Sequence, residues 1–111
     1  MKIKLILYIF LCLLGFNLNS YAAEVFFDVD NLKIEKEGNM IFATKGFAKI
    51  PSRNLEIKGD KFIYNKLISE LTIIDNVKII DKEKNVNIES EKIIYNQIDN
   101  SIFSQGKTYI Y

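Results

Sequence analysis

The side chains in this sequence with the means to do chemistry are carboxylates. Asp28-Val29-Asp30-Asn31 opens like a calcium loop, which needs glycine at its sixth position and glutamate at its twelfth. Lys33 and Asn39 stand there instead, so the loop is rejected. Glu35/Glu37 and Glu89/Glu91 are each spaced two apart. On a strand that spacing puts both carboxylates of a pair on one side, the arrangement paired acids would use. The surrounding pattern favours solvated strand faces. The chain has no histidine, and its single cysteine, Cys12, lies in an apolar N-terminal run. Nucleophilic triads and most metal sites need one of those residue types. Hydrolase, redox and zinc chemistry go together with them, and no glycine-rich phosphate loop occurs. The sequence reads as a non-enzyme with no cofactor and no catalytic or metal-binding residues.

The elements that position these residues begin after a removable segment. Lys2 and Lys4 precede an almost wholly apolar run at residues 5–16, followed by a polar stretch with small residues at Ser20 and Ala22. This is the layout of an export signal, with cleavage expected after Ala22. The run is well short of the roughly 20 apolar residues of a spanning helix. Cys12 is preceded by Leu11, which does not suit a lipoprotein cleavage site. The expected organisation is a signal peptide at 1–22 and one domain at 23–111. The domain keeps thirteen basic and fourteen acidic residues, a net charge of −1. That balance disfavours nucleic acid, whose binding draws on excess positive charge. Without cysteine in the domain, no disulfide framework supports it.

Alternation of apolar and polar residues dominates the domain. Leu55 and Ile57, Phe62 and Tyr64, Leu71 and Ile73, Val77 and Ile79, and Val86 and Ile88 each point one way while their neighbours point the other. Turn-forming residues separate these runs at Glu37-Gly38-Asn39, Lys58-Gly59-Asp60, Asp75-Asn76, residues 81–85, Asp99-Asn100-Ser101 and Gln105-Gly106-Lys107. Pro51 falls in a connection where its missing N–H costs nothing. The pattern predicts an all-β, antiparallel fold of strands four to six residues long, with no helix after the signal.

The chain also repeats. A shift of 31 residues lays residues 54–79 on 85–110, with Asn54 on Asn85, Ile57 on Ile88, Ile63-Tyr64-Asn65 on Ile94-Tyr95-Asn96 and Ile79 on Ile110. An earlier partial copy aligns Phe42, Gly46, Ala48 and Ile50 with Leu71, Asp75, Val77 and Ile79. A fixed period of this length marks a stacked β architecture.

One side of each predicted strand collects into an apolar row. It comprises Leu32, Ile34, Met40, Phe42, Ala48, Ile50, Leu55 and Ile57. It continues through Phe62, Tyr64, Leu71, Ile73, Val77, Ile79, Val86 and Ile88. Ile93, Tyr95, Ile102 and Ile110 complete it. Two uses remain open on the residues alone. The row fills a closed core, or it lines a trough between sheets that do not close. In a trough each buried methylene of an acyl chain contributes about 0.8 kcal/mol with no catalytic group needed.

The run Asn54-Leu55-Glu56-Ile57-Lys58-Gly59-Asp60-Lys61-Phe62-Ile63-Tyr64-Asn65, then Leu71-Thr72-Ile73-Ile74-Asp75-Asn76-Val77-Lys78-Ile79, resembles the OstA-like repeat of the LptA-type lipopolysaccharide-transport family. The second copy, residues 86–110, and the opening at 32–50 have the same form. The resemblance implies a repeat-built antiparallel β-jellyroll, an open sandwich folded like a taco, whose apolar interior holds the acyl chains of lipopolysaccharide. It implies a periplasmic location, with the outer membrane reached through partners. Family members LptA, LptC and the N-terminal domain of LptD join edge to edge by strand pairing, and unpaired edges of stacked sheets template such joining. The expected partners are lipopolysaccharide acyl chains, other jellyrolls of this type and other copies of the chain. The alternative is a structural envelope module that acts by strand addition and binds no lipid. Residues 107–111 read as a strand without a polar cap, expected either of a short member that docks this edge or of the front of a longer protein.

Overall fold

A computed structural model describes residues 24–111. The expected export signal at 1–22 and the expected cleavage after Ala22 lie outside the described residues. Six strands follow one another in a meander: β1 Phe26–Glu35, β2 Met40–Ile50, β3 Leu55–Asn65, β4 Glu70–Asp81, β5 Val86–Asn96 and β6 Ser101–Gln105. The short β7, Tyr109–Ile110, pairs antiparallel with β5 beside β6. All pairings are antiparallel between neighbours. Single 3-10 turns at Lys36–Gly38 and Pro51–Arg53 are the helical elements among the described residues. The all-β antiparallel expectation holds.

Strands β1 to β5 are about twice as long as their sequence pattern predicts, for a physical reason. Gly59-Asp60 and Asp75-Asn76 lie inside β3 and β4 and bend them, and do not reverse the chain. Asp75 and Asn76 take φ of 67° and 53°, and Lys45 and Gly46 in β2 take 56° and 155°. Register shifts between Lys58 and Lys61, and between Ile74 and Val77, fall on the same line. Bulges of this kind bend a strand and raise its twist. Two bulged pairs and the left-handed Lys45 thus fall in one column and crease the sheet, and residues 106–108 carry the crease between β6 and β7.

The crease divides the sheet into two half-sheets that face each other. The lower half holds the β1 start and the turns at 51–54 and 82–85; the upper half holds the turns at 36–39, 66–69 and 97–100. Phe27 of lower β1 packs edge-on against Phe62 of upper β3, ring centroids 5.9 Å apart, and 6.3 Å from Tyr64. The core sits between the halves: Ile50, Ile57, Phe62, Leu71, Ile73, Ile79, Ile93 and Tyr95 are all buried.

The turns on each side stack through their main chains. Lys66 N–H donates to Asn39 O at 2.8 Å and Gln97 N–H to Ser69 O at 2.9 Å; on the other side Lys82 N–H donates to Asn54 O at 3.1 Å. Asn54, Ser69, Asn85 and Asn100, each just before a strand, have φ of 52–56°. These are two pairs related by the 31-residue shift, so the repeat is also a repeat of backbone conformation. Asparagine is among the few residues that adopt this conformation readily.

Candidate functional site: the interior of the folded sheet

Three cross-strand rows make the inner face. One runs Ile34–Ile41–Tyr64–Leu71–Tyr95–Ile102 and the next Leu32–Ala43–Phe62–Ile73–Ile93–Ser104, both in the upper half. The third, in the lower half, runs Phe27–Ala48–Ile57–Ile79–Ile88–Ile110. Ile50, Leu55 and Val86 extend the lower half towards its turns.

Of the sequence-predicted row, the structure brings Ile50, Leu55, Ile57, Phe62, Tyr64, Leu71, Ile73, Val77, Ile79, Ile93 and Tyr95 into one buried cluster, with Ile88 packed against it. Val86 lies on the same face, half-buried. Two members are corrected. Phe42 pairs with Ile63 and Met40 with Asn65, which places both on the outer face. The inward residues of upper β2 are Ile41 and Ala43. The cause is the backbone at Lys45-Gly46, with φ of 56° and 155°, which reverses the alternation without shifting the register, so the phase of Ala48 and Ile50 does not carry back through it. The alignment of Phe42 with Leu71 is off by one for the same reason; Ile41 is the counterpart. Phe27 and Val29, packed against the core from β1, were not in the predicted row. Their alternation with Val25 is visible in the sequence.

Exposure along the rows is uneven. Ile57, Leu71, Ile73, Ile79, Ile93 and Tyr95 are 0% exposed, whereas Leu32 and Ile34 are 47 and 59% exposed and Ile110 is 70% exposed. The half-sheets are offset: lower β1 covers upper β3, and the lower turn at 51–54 meets the upper turn at 97–100. Among the described residues, upper β1 and lower β7 therefore have nothing facing them. The inner face is closed at its centre and uncovered at two diagonal corners, each on an edge strand.

A polar cluster ties the mouth, where the two sets of turns meet. The Tyr64 hydroxyl donates to Gln97 Oε1 at 2.6 Å, and Arg53 Nη2 donates to the Gln97 main-chain carbonyl at 3.3 Å. The Tyr95 hydroxyl donates to Asn100 Oδ1 at 2.7 Å. Burial pushes the Tyr64 phenol above its ordinary 10.0. Burial also raises Tyr95, with Arg53 opposing the shift and Asp81 adding to it. Gln97, fully buried, has no forewarning in the sequence beyond its place in a turn.

No family model matches the chain, and no curated protein matches it. Among solved structures it is similar to the crystal structure of LptH, the LptA-homologous periplasmic component of the lipopolysaccharide transport device of Pseudomonas aeruginosa. The identity is 9% and the TM-score 0.44, over 80% of this chain and 94% of that one.

The outer side differs from the interior. Ser90 anchors the crease between β5, β6 and β7, its hydroxyl donating to Gln105 O at 3.1 Å and meeting Thr108 Oγ1 at 3.0 Å. Beside it an open depression of ≈ 680 Å³ is lined by Lys58, Asp60, Asp75, Lys78, Glu89 and Glu91, among others. The carboxylate pairs of the sequence are on this solvated side or in turns. Glu35 pairs with Lys33 at 2.7 Å, and Glu89 accepts from the Tyr111 hydroxyl.

Proposed function

We propose that this chain is a periplasmic lipopolysaccharide-transport module that holds acyl chains against the inner face of its creased sheet and joins like domains edge to edge. The observation that carries the reading is the pair of uncovered corners. Leu32 and Ile34 at one end and Ile102 and Ile110 at the other continue the apolar rows out to the edge strands. A second sheet paired to β1, or to β6 and β7, would extend the rows and cover those side chains. An acyl chain entering at a corner exchanges water for methylene contacts along the row, at about 0.8 kcal/mol per methylene buried. The strand–turn resemblance to the OstA-like repeat supports the same reading. So does the signal-like N-terminal segment, which implies export.

The test is a photo-crosslinking amino acid placed in cells at Ile34, Ile102 or Tyr95, with Lys61 and Lys92 on the outer face as controls. Lipopolysaccharide adducts should concentrate at the inner positions. Equal labelling of inner and outer positions removes the mechanism.

A second reading is favoured by one observation: the centre of the inner face is fully buried and its mouth is tied by Arg53, Tyr64 and Gln97. A closed dry core of this kind suits a structural envelope module that acts by strand addition alone. Proline at Ile110 separates the two, since it removes an edge donor. Assembly measured by light scattering then falls in both readings, while lipid adducts survive in the first and never occur in the second.

A further inference from the structure

The two lips of the mouth differ in chemistry, and the difference repeats along the chain. On the upper lip the stacked turns at 66–69 and 97–100 carry Leu67, Ile68 and Ile98 at their tips, 74, 48 and 68% exposed. The 31-residue shift lays Leu67 on Ile98, whereas on the lower lip it lays Ser52 on Glu83. Turns are ordinarily built from small and polar residues, yet both repeats keep a large aliphatic side chain at this one position. The tips also satisfy their own amides. Asn65 Oδ1 accepts from Leu67 N–H at 3.1 Å, and Asn96 Oδ1 accepts from Ile98 N–H at 2.9 Å. Pairing these two donors lowers what the tips give up on leaving water.

Charge divides along the same line. The lip turns hold five basic residues, Lys36, Arg53, Lys66, Lys82 and Lys84, against three acidic ones, Glu37, Glu83 and Asp99. The crease does not share this excess: Asp30, Asp60, Asp75, Glu89 and Glu91 stand there with Lys45, Lys58, Lys78 and Lys107. A charge distribution of this sense turns the mouth, not the crease, towards a negative surface. The contact of Arg53 with Gln97 brings both lips to one side of the molecule.

The geometry points to the mouth as a docking surface for a membrane leaflet that contains anionic phospholipid. Leu67, Ile68 and Ile98 enter the boundary between headgroups and acyl chains, and Lys82 and Lys84 lie over lipid phosphates. Lys82 makes a long, exposed ion pair with Glu56, 3.6 Å, of the kind that exchanges readily. The docking stands on the lips alone and is independent of whether the interior holds an acyl chain.

The chain contains no tryptophan, so one introduced indole reports its own surroundings. Full-length protein carrying Leu67→Trp or Asp60→Trp is mixed with vesicles of phosphatidylcholine, with or without phosphatidylglycerol. The residue 67 reporter should shift to the blue on the anionic vesicles and be quenched by brominated acyl chains, while the residue 60 reporter does neither. Lys82→Glu with Lys84→Glu should weaken vesicle binding about tenfold or more, and Leu67→Ser with Ile98→Ser should weaken it comparably. All these proteins share one N-terminus, so differences between them read the lips. An equal response at residues 60 and 67, or variants that bind as the unsubstituted protein does, overturns the assignment. So does a Leu67→Ser/Ile98→Ser protein that turns from dimer to monomer with vesicle binding unchanged; the lips would then dock a second copy of the chain.

Discussion

Arg53 and Gln97, 44 positions apart, meet across the mouth at 3.3 Å, and the same glutamine accepts the Tyr64 hydroxyl at 2.6 Å. One side chain thus serves two constraints: it satisfies a buried phenol and fixes the turn whose carbonyl holds the opposite lip. Gln97→Ala leaves the Tyr64 hydroxyl buried without this acceptor, a loss of about 1–3 kcal/mol. Arg53→Ala removes a partly exposed bond and should cost about 0.5–1.5 kcal/mol. Urea unfolding gives both values. A Gln97→Ala midpoint equal to that of the unsubstituted protein would mean that water enters the mouth and replaces the amide.

The closed centre and open corners of the inner face predict a gradient of sensitivity along one cross-strand row. Ile57→Ala and Ile79→Ala should each destabilise by about 2–5 kcal/mol, because both side chains are fully buried between the half-sheets. Ile110→Ala, at the uncovered end of that row, should stay within about 0.5 kcal/mol. Equal losses at all three would mean that the corner is covered in solution, by another copy or by a shift of the halves.

The same row marks what the sequence makes legible. Alternation and turn chemistry predict an all-β antiparallel sheet, and the 31-residue period carries through to left-handed residues at equivalent places before the strands. The crease was hidden, because Gly59-Asp60 and Asp75-Asn76 have the composition of turns. Whether such residues reverse a chain or bend it depends on the partner strand, which local sequence does not contain. The inward expectation for Phe42 fails because the phase reversal at Lys45-Gly46 lies in two backbone dihedrals that composition does not reveal. In β3 the inward residues come out right although Gly59 reads as a turn, since Leu55, Ile57, Phe62 and Tyr64 are apolar on both sides of it. The turn at 66–69 carries no turn signature, because Leu67 and Ile68 look like strand residues. The offset of the half-sheets, which leaves Leu32, Ile34 and Ile110 uncovered, arises from twist and packing and has no local signature.

Close approach of β1 and β2 at the crease rests on Gly46. Its φ is 155°, and a Cβ there would stand 2.1 Å from Asp28 O and 2.8 Å from Val29 Cα. Both obstacles are backbone, so no side-chain rotation relieves them. Gly46→Ala should separate the β1–β2 pair at the crease and speed amide exchange from Asp28 to Asn31, with strands β3 to β5 still protected. Gly38→Ala is the comparison, since no atom lies within 4 Å of a Cβ at that position. Its effect should be confined to the backbone strain of φ 91° in the turn. If Gly46→Ala leaves exchange at Asp28–Asn31 unchanged, the crease of the first two strands is looser than the geometry indicates.

The buried phenols set the alkaline limit of the fold. Tyr64 and Tyr95 both titrate above the ordinary 10.0, Tyr64 through burial and Tyr95 through burial first. A phenol whose folded pKa is raised binds more protons in the folded chain than in the unfolded one between those two pKa values. Its contribution is therefore intact below pH 10 and is lost as pH rises from 10 through the folded value. Stability should be flat in this respect up to about pH 10 and then fall. Tyr64→Phe should shift the alkaline transition upward and flatten it, although the protein is less stable at neutral pH because Gln97 loses a donor. Circular dichroism across a pH series, with phenolate absorbance followed in parallel, reads both effects. Phenolate forming at Tyr64 or Tyr95 without loss of sheet would place water at the hydroxyls and contradict their burial.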